Sequence, residues 1–204
     1  MNYKSIENFT QWDKEEKDHF TVNVIKGLVI DGVRKANSGH PGGPMSLADF
    51  SYILYSEFLT FDPNNPDAQL RDRVVLSVGH TCMLLYTILY LSDVLDMEDL
   101  KSFRQIDSRT PGHPEIETPG VDANAGPLGQ GVGMGIGMAV AETMLQRSNK
   151  HYTYVLAGDG DLQEPIALGA ASLAGHWSLS RLIMFYDKND IQIAGETNRC
   201  DSTD

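Results

Sequence analysis

The chain has 204 residues, 41% hydrophobic and 22% charged, with a formal net charge of −12 at pH 7. Length and composition suit one globular domain and leave little room for extensive disorder. The acidic balance argues against a nucleic-acid partner, and any bound phosphate needs a local device: a metal, a helix N-terminus or backbone amides.

Residues 1–17 are polar and charged, lack a signal-peptide core, and are expected to be extended or poorly ordered. Residues 18–37 carry Phe20, Val24, Leu28 and Ile25, Val29, Val33 at helical spacing, and Ser38-Gly39 would stop that helix. A second helix is expected over 44–59, with Pro44 in its first turn, followed by the turn-rich segment 62–67. Three apolar runs read as strands: 73–78 (RVVLSV), 152–157 (YTYVLA) and 181–186 (RLIMFY). Their near-continuous apolar character predicts burial on both faces. Helical stretches at 83–92, 97–103, 130–146 and 165–177 lie among them, so the expected fold is one α/β domain, a mainly parallel sheet with helices on both faces. The longest apolar run, near Leu84–Leu91, is far below the ~20 residues of a membrane span. Cys82 and Cys200 form no CxxC pair, which disfavours a cysteine zinc site; a soluble, reduced, cytoplasmic protein is expected.

Each strand runs into polar residues in a glycine or turn context: Gly79-His80, Gly158-Asp159-Gly160 and Asp187-Lys188-Asn189. Ligands of open α/β sheets sit beyond the carboxyl ends of the strands, so His80, Asp159 and Asn189 are expected along one edge. Gly158-Asp159-Gly160 has what a magnesium-diphosphate site requires. Glycines permit close backbone approach, and Asp159 offers a hard oxygen ligand. Asn189 can add an amide oxygen and Ile191 a backbone carbonyl. A lone GDG is most often only a turn. Its pairing with YDKNDI after the next strand is what raises it above that.

The segment Gly126-Pro127-Leu128-Gly129-Gln130-Gly131 is a second glycine-rich loop opening a helix, without the Lys-Ser/Thr of a P-loop. Gly126 to Gly129 suit cofactor approach at least as well as close backbone packing. Gly131, Gly133, Gly135 and Gly137 are expected to give a smooth helix face for close packing. Of six histidines, His40, His80 and His113 lie in rigid glycine-proline surroundings and can donate to phosphate or hydroxyl oxygens or move protons near neutral pH. His19, His151 and His176 are assigned structural or surface places.

Together SGHPGGPMS (38–46), DRVVLSVGH (72–80), FRQ…TPGHPE (103–115), GPLGQG (126–131), GDGDLQE (158–164) and YDKNDIQI (186–193) resemble the transketolases over nearly all the chain from about residue 20. The resemblance implies the thiamin-diphosphate-binding fold, its diphosphate domain in incomplete form, spanning 1–204 as a single domain. It implies a thiamin-diphosphate-dependent transfer of a two-carbon ketol unit between sugar phosphates. By position in the motifs, His80, Gly126, Leu128, Gly158, Asp159, Gly160 and Asn189 fall where the family holds the cofactor. Asp159, Asn189 and the Ile191 carbonyl fall where it holds magnesium or calcium. His40 and His113 fall where it contacts the sugar donor and assists proton transfer, and Glu164 falls at the dimer interface. Pro165, Gly169, Asn124-Ala125 and Thr81-Cys82 depart from the family pattern, and none removes a metal ligand. The family's pyrimidine-binding domain has no counterpart here, so a homodimer or a complementary carboxyl-terminal subunit is expected, and the chain alone should not turn over. A non-catalytic cofactor-binding or dimerising remnant and a related thiamin enzyme, such as dihydroxyacetone synthase, are the alternatives.

Overall fold

The computed structural model describes residues 6–145, 151–193 and 195–202. At its centre is a parallel sheet ordered β1 (Arg73–Leu76), β2 (Thr153–Gly158), β3 (Leu182–Asp187). Leu76 pairs with Leu156 and Gly158 with Asp187, which brings the carboxyl ends of all three strands to one edge.

Alternation along the strands sorts their side chains into two cores. Val74, Leu76, Tyr154 and Leu156 join α1 (Lys14–Ala36), α2 (Gly42–Ile53) and α3 (Cys82–Leu91) on one face. Val75, Val155 and Ala157 join α5 (Gln130–Leu145) and α7 (Pro165–His176) on the other. Both β1 and β2 are thus covered twice, as expected. β3 is not. Ile183 and Phe185 reach the first core, with Phe50 and Phe185 ring centroids 4.0 Å apart, but Met184 and Tyr186 are 40% and 45% exposed. Among the described residues it is an edge strand like β1, but α5 lies mainly over β1 and β2 and leaves its second face open.

Helix ends follow local chemistry. Asp13 accepts from the Glu16 amide at 2.8 Å while Glu16 accepts from the Asp13 amide at 3.1 Å, a capping box that starts α1 four residues before the expected position. Asn37, left-handed at φ 50°, ends it just ahead of Ser38-Gly39. Residues 6–17 are therefore not extended: Ile6–Gln11 form a 3-10 helix, and Phe9, Trp12 and Phe20 cluster with centroids 5.3–5.6 Å apart. Partly buried aromatic area holds this segment down. α2 continues into a π-helical turn, Leu54–Phe58. α4 (Met97–Lys101) is capped by Asp96, and Pro165 opens α7 at its first position, where a missing N–H costs nothing. Only alternate α5 glycines meet the sheet. A Cβ on Gly131 would lie 2.5 Å from Ser77 Cα and one on Gly135 2.4 Å from Val155, whereas Gly133 faces Ile166 and Gly137 faces open space. The smooth face is thus half as wide as expected, set by the four-residue repeat of one helix side. Among the described residues both cysteines are free thiols, and no helix is long and apolar enough to cross a membrane.

Candidate cofactor site

Gly158-Asp159-Gly160 is not an isolated turn. β2 ends on Gly158 and a single helical turn, α6 (Asp159–Leu162), starts at once. Neither glycine has positive φ; each instead makes room, since a Cβ would come 2.9 Å from Val78 at Gly158 and 3.1 Å from Leu128 at Gly160. Asp159 is 6% exposed. Its Oδ2 accepts from the amides of Asn189 at 2.8 Å and Asp190 at 2.9 Å, and its Oδ1 accepts from the Tyr186 hydroxyl. That bond, with some burial, pushes the Tyr186 phenol up to about 12. The strand ends carrying Asp159 and Asn189 are therefore in direct contact. Asn189 Oδ1 accepts from the Ile191 amide at 3.0 Å, and Ile191 begins the small hairpin β4 (Ile191–Gln192) with β5 (Gly195–Glu196).

Asp161, which the motif reading passed over, is fully buried. Its Oδ1 accepts from Ser77 Oγ and from the Gly129 amide, both at 2.8 Å, and its Oδ2 from the Gly158 amide at 3.1 Å. Ser77 Oγ in turn accepts from the Val132 amide at 3.1 Å. One carboxylate thereby ties the end of β1, the end of β2 and the glycine loop into one body. The alternating acids of GDGDL were the available signal, because an acid at the third position of a helical turn can cap it. Gly129 has φ 77°, and a Cβ there would lie 2.7 Å from Glu164 Cβ, so only glycine lets the loop press against Glu164. Neither Asp159 nor Asp161 has an ion-pair partner among the described residues. Buried Asp122, by contrast, pairs with Arg71 at 2.9 Å and Arg73 at 3.1 Å. Asp72 also has no ion-pair partner among the described residues, but it lies at the other end of the sheet, accepting from the Thr60 and Tyr152 amides.

The second half of the site is histidine. The His40 and His80 ring centroids are 4.9 Å apart, and His113 packs beside Gly126. A Cβ on Gly79 would fall 1.4 Å from the Ala125 carbonyl oxygen, so the His80 turn and the glycine loop touch through backbone alone. All three imidazoles are held below the usual histidine range. Burial is the main cause for each; Arg104 adds to it for His40 and His113, and the neighbouring His40 for His80. The 111–113 loop is pinned from beneath by α3. Cys82 Sγ donates to the Gly112 carbonyl at 3.2 Å, and the Tyr86 hydroxyl lies 3.0 Å from the Pro111 carbonyl and 3.1 Å from that of His113. Burial raises the Cys82 thiol to about 12, so it is a donor and not a nucleophile. The other histidines lie elsewhere: His19 is exposed on α1, His176 closes α7, and His151 is buried 3.3 Å from Glu142.

The arrangement is that of a parallel α/β domain whose strand ends and neighbouring loops present carboxylates, backbone amides and imidazoles. The comparisons agree. The family model for the transketolase thiamine diphosphate-binding domain matches residues 17–204. The chain is 54% identical over 188 residues to the chloroplastic transketolase of Zea mays, covering 87% of this chain and 28% of that protein. A transketolase structure from Leishmania mexicana superposes with a TM-score of 0.88 at 44% identity, over 91% of this chain and 29% of that one. A Pichia stipitis transketolase solved in complex with sedoheptulose 7-phosphate gives 0.88 at 43%, over 92% and 29%. The chain belongs to the transketolase thiamine diphosphate-binding domain family. It spans less than a third of the length of these relatives.

Proposed function

We propose that this chain is the amino-terminal, diphosphate-holding portion of a cytoplasmic transketolase-type transferase. It holds thiamin diphosphate through Mg2+ (or Ca2+) and takes part in moving a two-carbon ketol unit between sugar phosphates. The pyrimidine-binding domain comes from another chain, either a second copy or a complementary carboxyl-terminal subunit. The observation that carries the reading is a pair of buried carboxylates, Asp159 and Asp161, at one strand end with no ion-pair partner among the described residues. Buried charges are normally paired or coordinate metals.

The donor set fits the group. A carboxylate offers about four lone-pair positions, and Asp159 uses three on Tyr186, Asn189 and Asp190, leaving one for a hard cation. Asn189 Oδ1 and the Ile191 carbonyl are further oxygens in the same loop, and magnesium completes its shell with phosphate and water. Gly158, Gly160, Gly126 and Leu128 bound the space for the cofactor, with His80 at its side. When bound, thiamin diphosphate supplies the carbanion chemistry at its thiazolium ring. His40 and His113, kept neutral by burial and by Arg104, can accept a proton or a hydrogen bond from a sugar hydroxyl. Glu164, pressed against Gly129, is assigned to the subunit interface. Ile166, Leu173 and Trp177, on one side of α7, leave an exposed apolar stripe that suits association.

The test is thermal unfolding with thiamin diphosphate and Mg2+ together, each alone, and neither. At about 100 times Kd, a ligand confined to the native state adds about 2.7 kcal/mol. Asp159→Asn keeps an acceptor for the two amides but loses the charge, and should abolish that gain. Equal stabilisation of the variant and the parent rules out the site.

A further inference from the structure

We propose that Arg104 is a positioning residue that fixes His40 and His113 relative to one another by clasping the two loops that carry them. The inference rests on the assignment of those histidines given above. Arg104 Nη1 donates to Ser38 Oγ at 2.7 Å, two residues before His40. Its Nη2 donates to the Gly112 carbonyl at 3.4 Å, one residue before His113. These loops lie 66 and 8 residues away in the sequence and have no backbone hydrogen bond to each other among the described residues.

Three further observations separate this clasp from an ordinary surface arginine. Arg104 sits at φ 61°, a conformation costing a side-chain-bearing residue about 1–2 kcal/mol. It is held there by its amide donating to the Thr110 carbonyl at 3.0 Å. Such strain persists only where the surroundings over-determine it. The side chain lies over the Phe103 ring at 5.5 Å, and its Nε is buried without a hydrogen-bond partner among the described residues. Gly112 lets it lie flush, since a Cβ there would come within 3.2 Å of Nε. Finally, in a chain of net charge −12 this guanidinium has no carboxylate partner among the described residues. Its charge is turned on the histidines instead, and its fork is divided between two neutral acceptors on different loops. Lysine cannot reproduce that fork, because a single ammonium at the end of a flexible stem has no second fixed arm.

The experiment uses the whole chain without cofactor and reads imidazole signals by NMR. The ring-to-ring nuclear Overhauser contact of His40 with His80 reports one loop, and the ring resonances of His113 report the other. Arg104→Lys and Arg104→Met should each lose the His40–His80 contact and shift His113, with circular dichroism unchanged. Ser38→Ala should lose only the His40–His80 contact, and Gly112→Ala should move only His113. If the folded Arg104 variants keep both signatures, the clasp does not exist. If they fail to fold, the two single-arm variants decide: signatures left intact in both overturn the proposal. Thiamin diphosphate binding and ketol transfer are measured separately. In an assembly that transfers ketol units, Arg104→Lys should lower kcat by up to about 100-fold, the scale of a 1 Å misplacement, with KM for cofactor little changed. An inactive parent assembly would defeat the functional reading while the imidazole signals still test the clasp.

Discussion

The two halves of the site are built by different means. The carboxylate half is held mostly by main chain: Asp159 and Asp161 collect the amides of Asn189, Asp190, Gly129 and Gly158, and among the described residues only Ser77 and Tyr186 contribute side-chain donors. In the histidine half the loops that carry His40 and His113 are held by side chains: Arg104, Cys82 and Tyr86. The amides in or just beyond the strand ends are placed by the sheet. Loops held by side chains can be re-aimed by one substitution. The first half is thus suited to gripping a constant group and the second to meeting a variable one.

The strongest break of this contrast lies where the halves meet. Gly79→Ala puts a methyl 1.4 Å from the Ala125 carbonyl oxygen, with backbone on both sides and no side chain able to yield. The expected cost is about 3 kcal/mol or more, the upper range for overpacking, read by urea unfolding. A variant within about 0.5 kcal/mol of the parent would mean that the two turns are not in contact.

Next in size is Asp161→Ala, which strips a partner from Ser77 Oγ and two amides inside a fully buried setting. Each buried group left unsatisfied costs about 1–3 kcal/mol, and water entering the vacated space would recover part of it. A loss of about 3 kcal/mol is expected. Asp161→Asn keeps one acceptor oxygen and should lose about half of that. If both variants are equally stable, the carboxylate is not what joins β1, β2 and the glycine loop.

This keystone also marks the limit of what the sequence revealed. The strands at 73, 153 and 182 and the helices of the core were legible to within a few residues, because apolar runs and helical spacing encode burial directly. The contact of Asp159 with Asn189 followed from strand-end logic. The distant partners of Asp161, Ser77, Arg104 and Tyr86 were not legible. Their bonds join residues 84, 66 and 27 positions apart, and no local spacing announces a partner so distant. Residues 6–17 were misread as extended because their charges outnumber their aromatics, yet Phe9, Trp12 and Phe20 decide their packing. The exposed side of β3 was misread for the opposite reason. An apolar run says what a strand can bury, and the tertiary arrangement decides what it does bury.

The smallest expected effect sharpens the contrast by pH. His40, His80 and His113 all titrate below their unfolded value, which is near 6.5. Between that value and the depressed native ones the unfolded chain binds more protons than the folded chain, so stability rises with pH through this window. The contribution is complete above the unfolded histidine value and is lost as pH falls through the native values. Groups facing the three rings set the depth of the effect: Arg104 and the other imidazoles deepen it, while Asp161 raises His80 and Glu115 raises His113. Urea unfolding from about pH 8 to about pH 5 should show a slope that flattens when all three histidines become glutamine. Carboxylates outside the cluster contribute equally to parent and variant, so the difference isolates the imidazoles. A slope unchanged by the triple replacement would mean that the three rings protonate as freely in the fold as out of it, and that the histidine wall is no less wet than the loops around it.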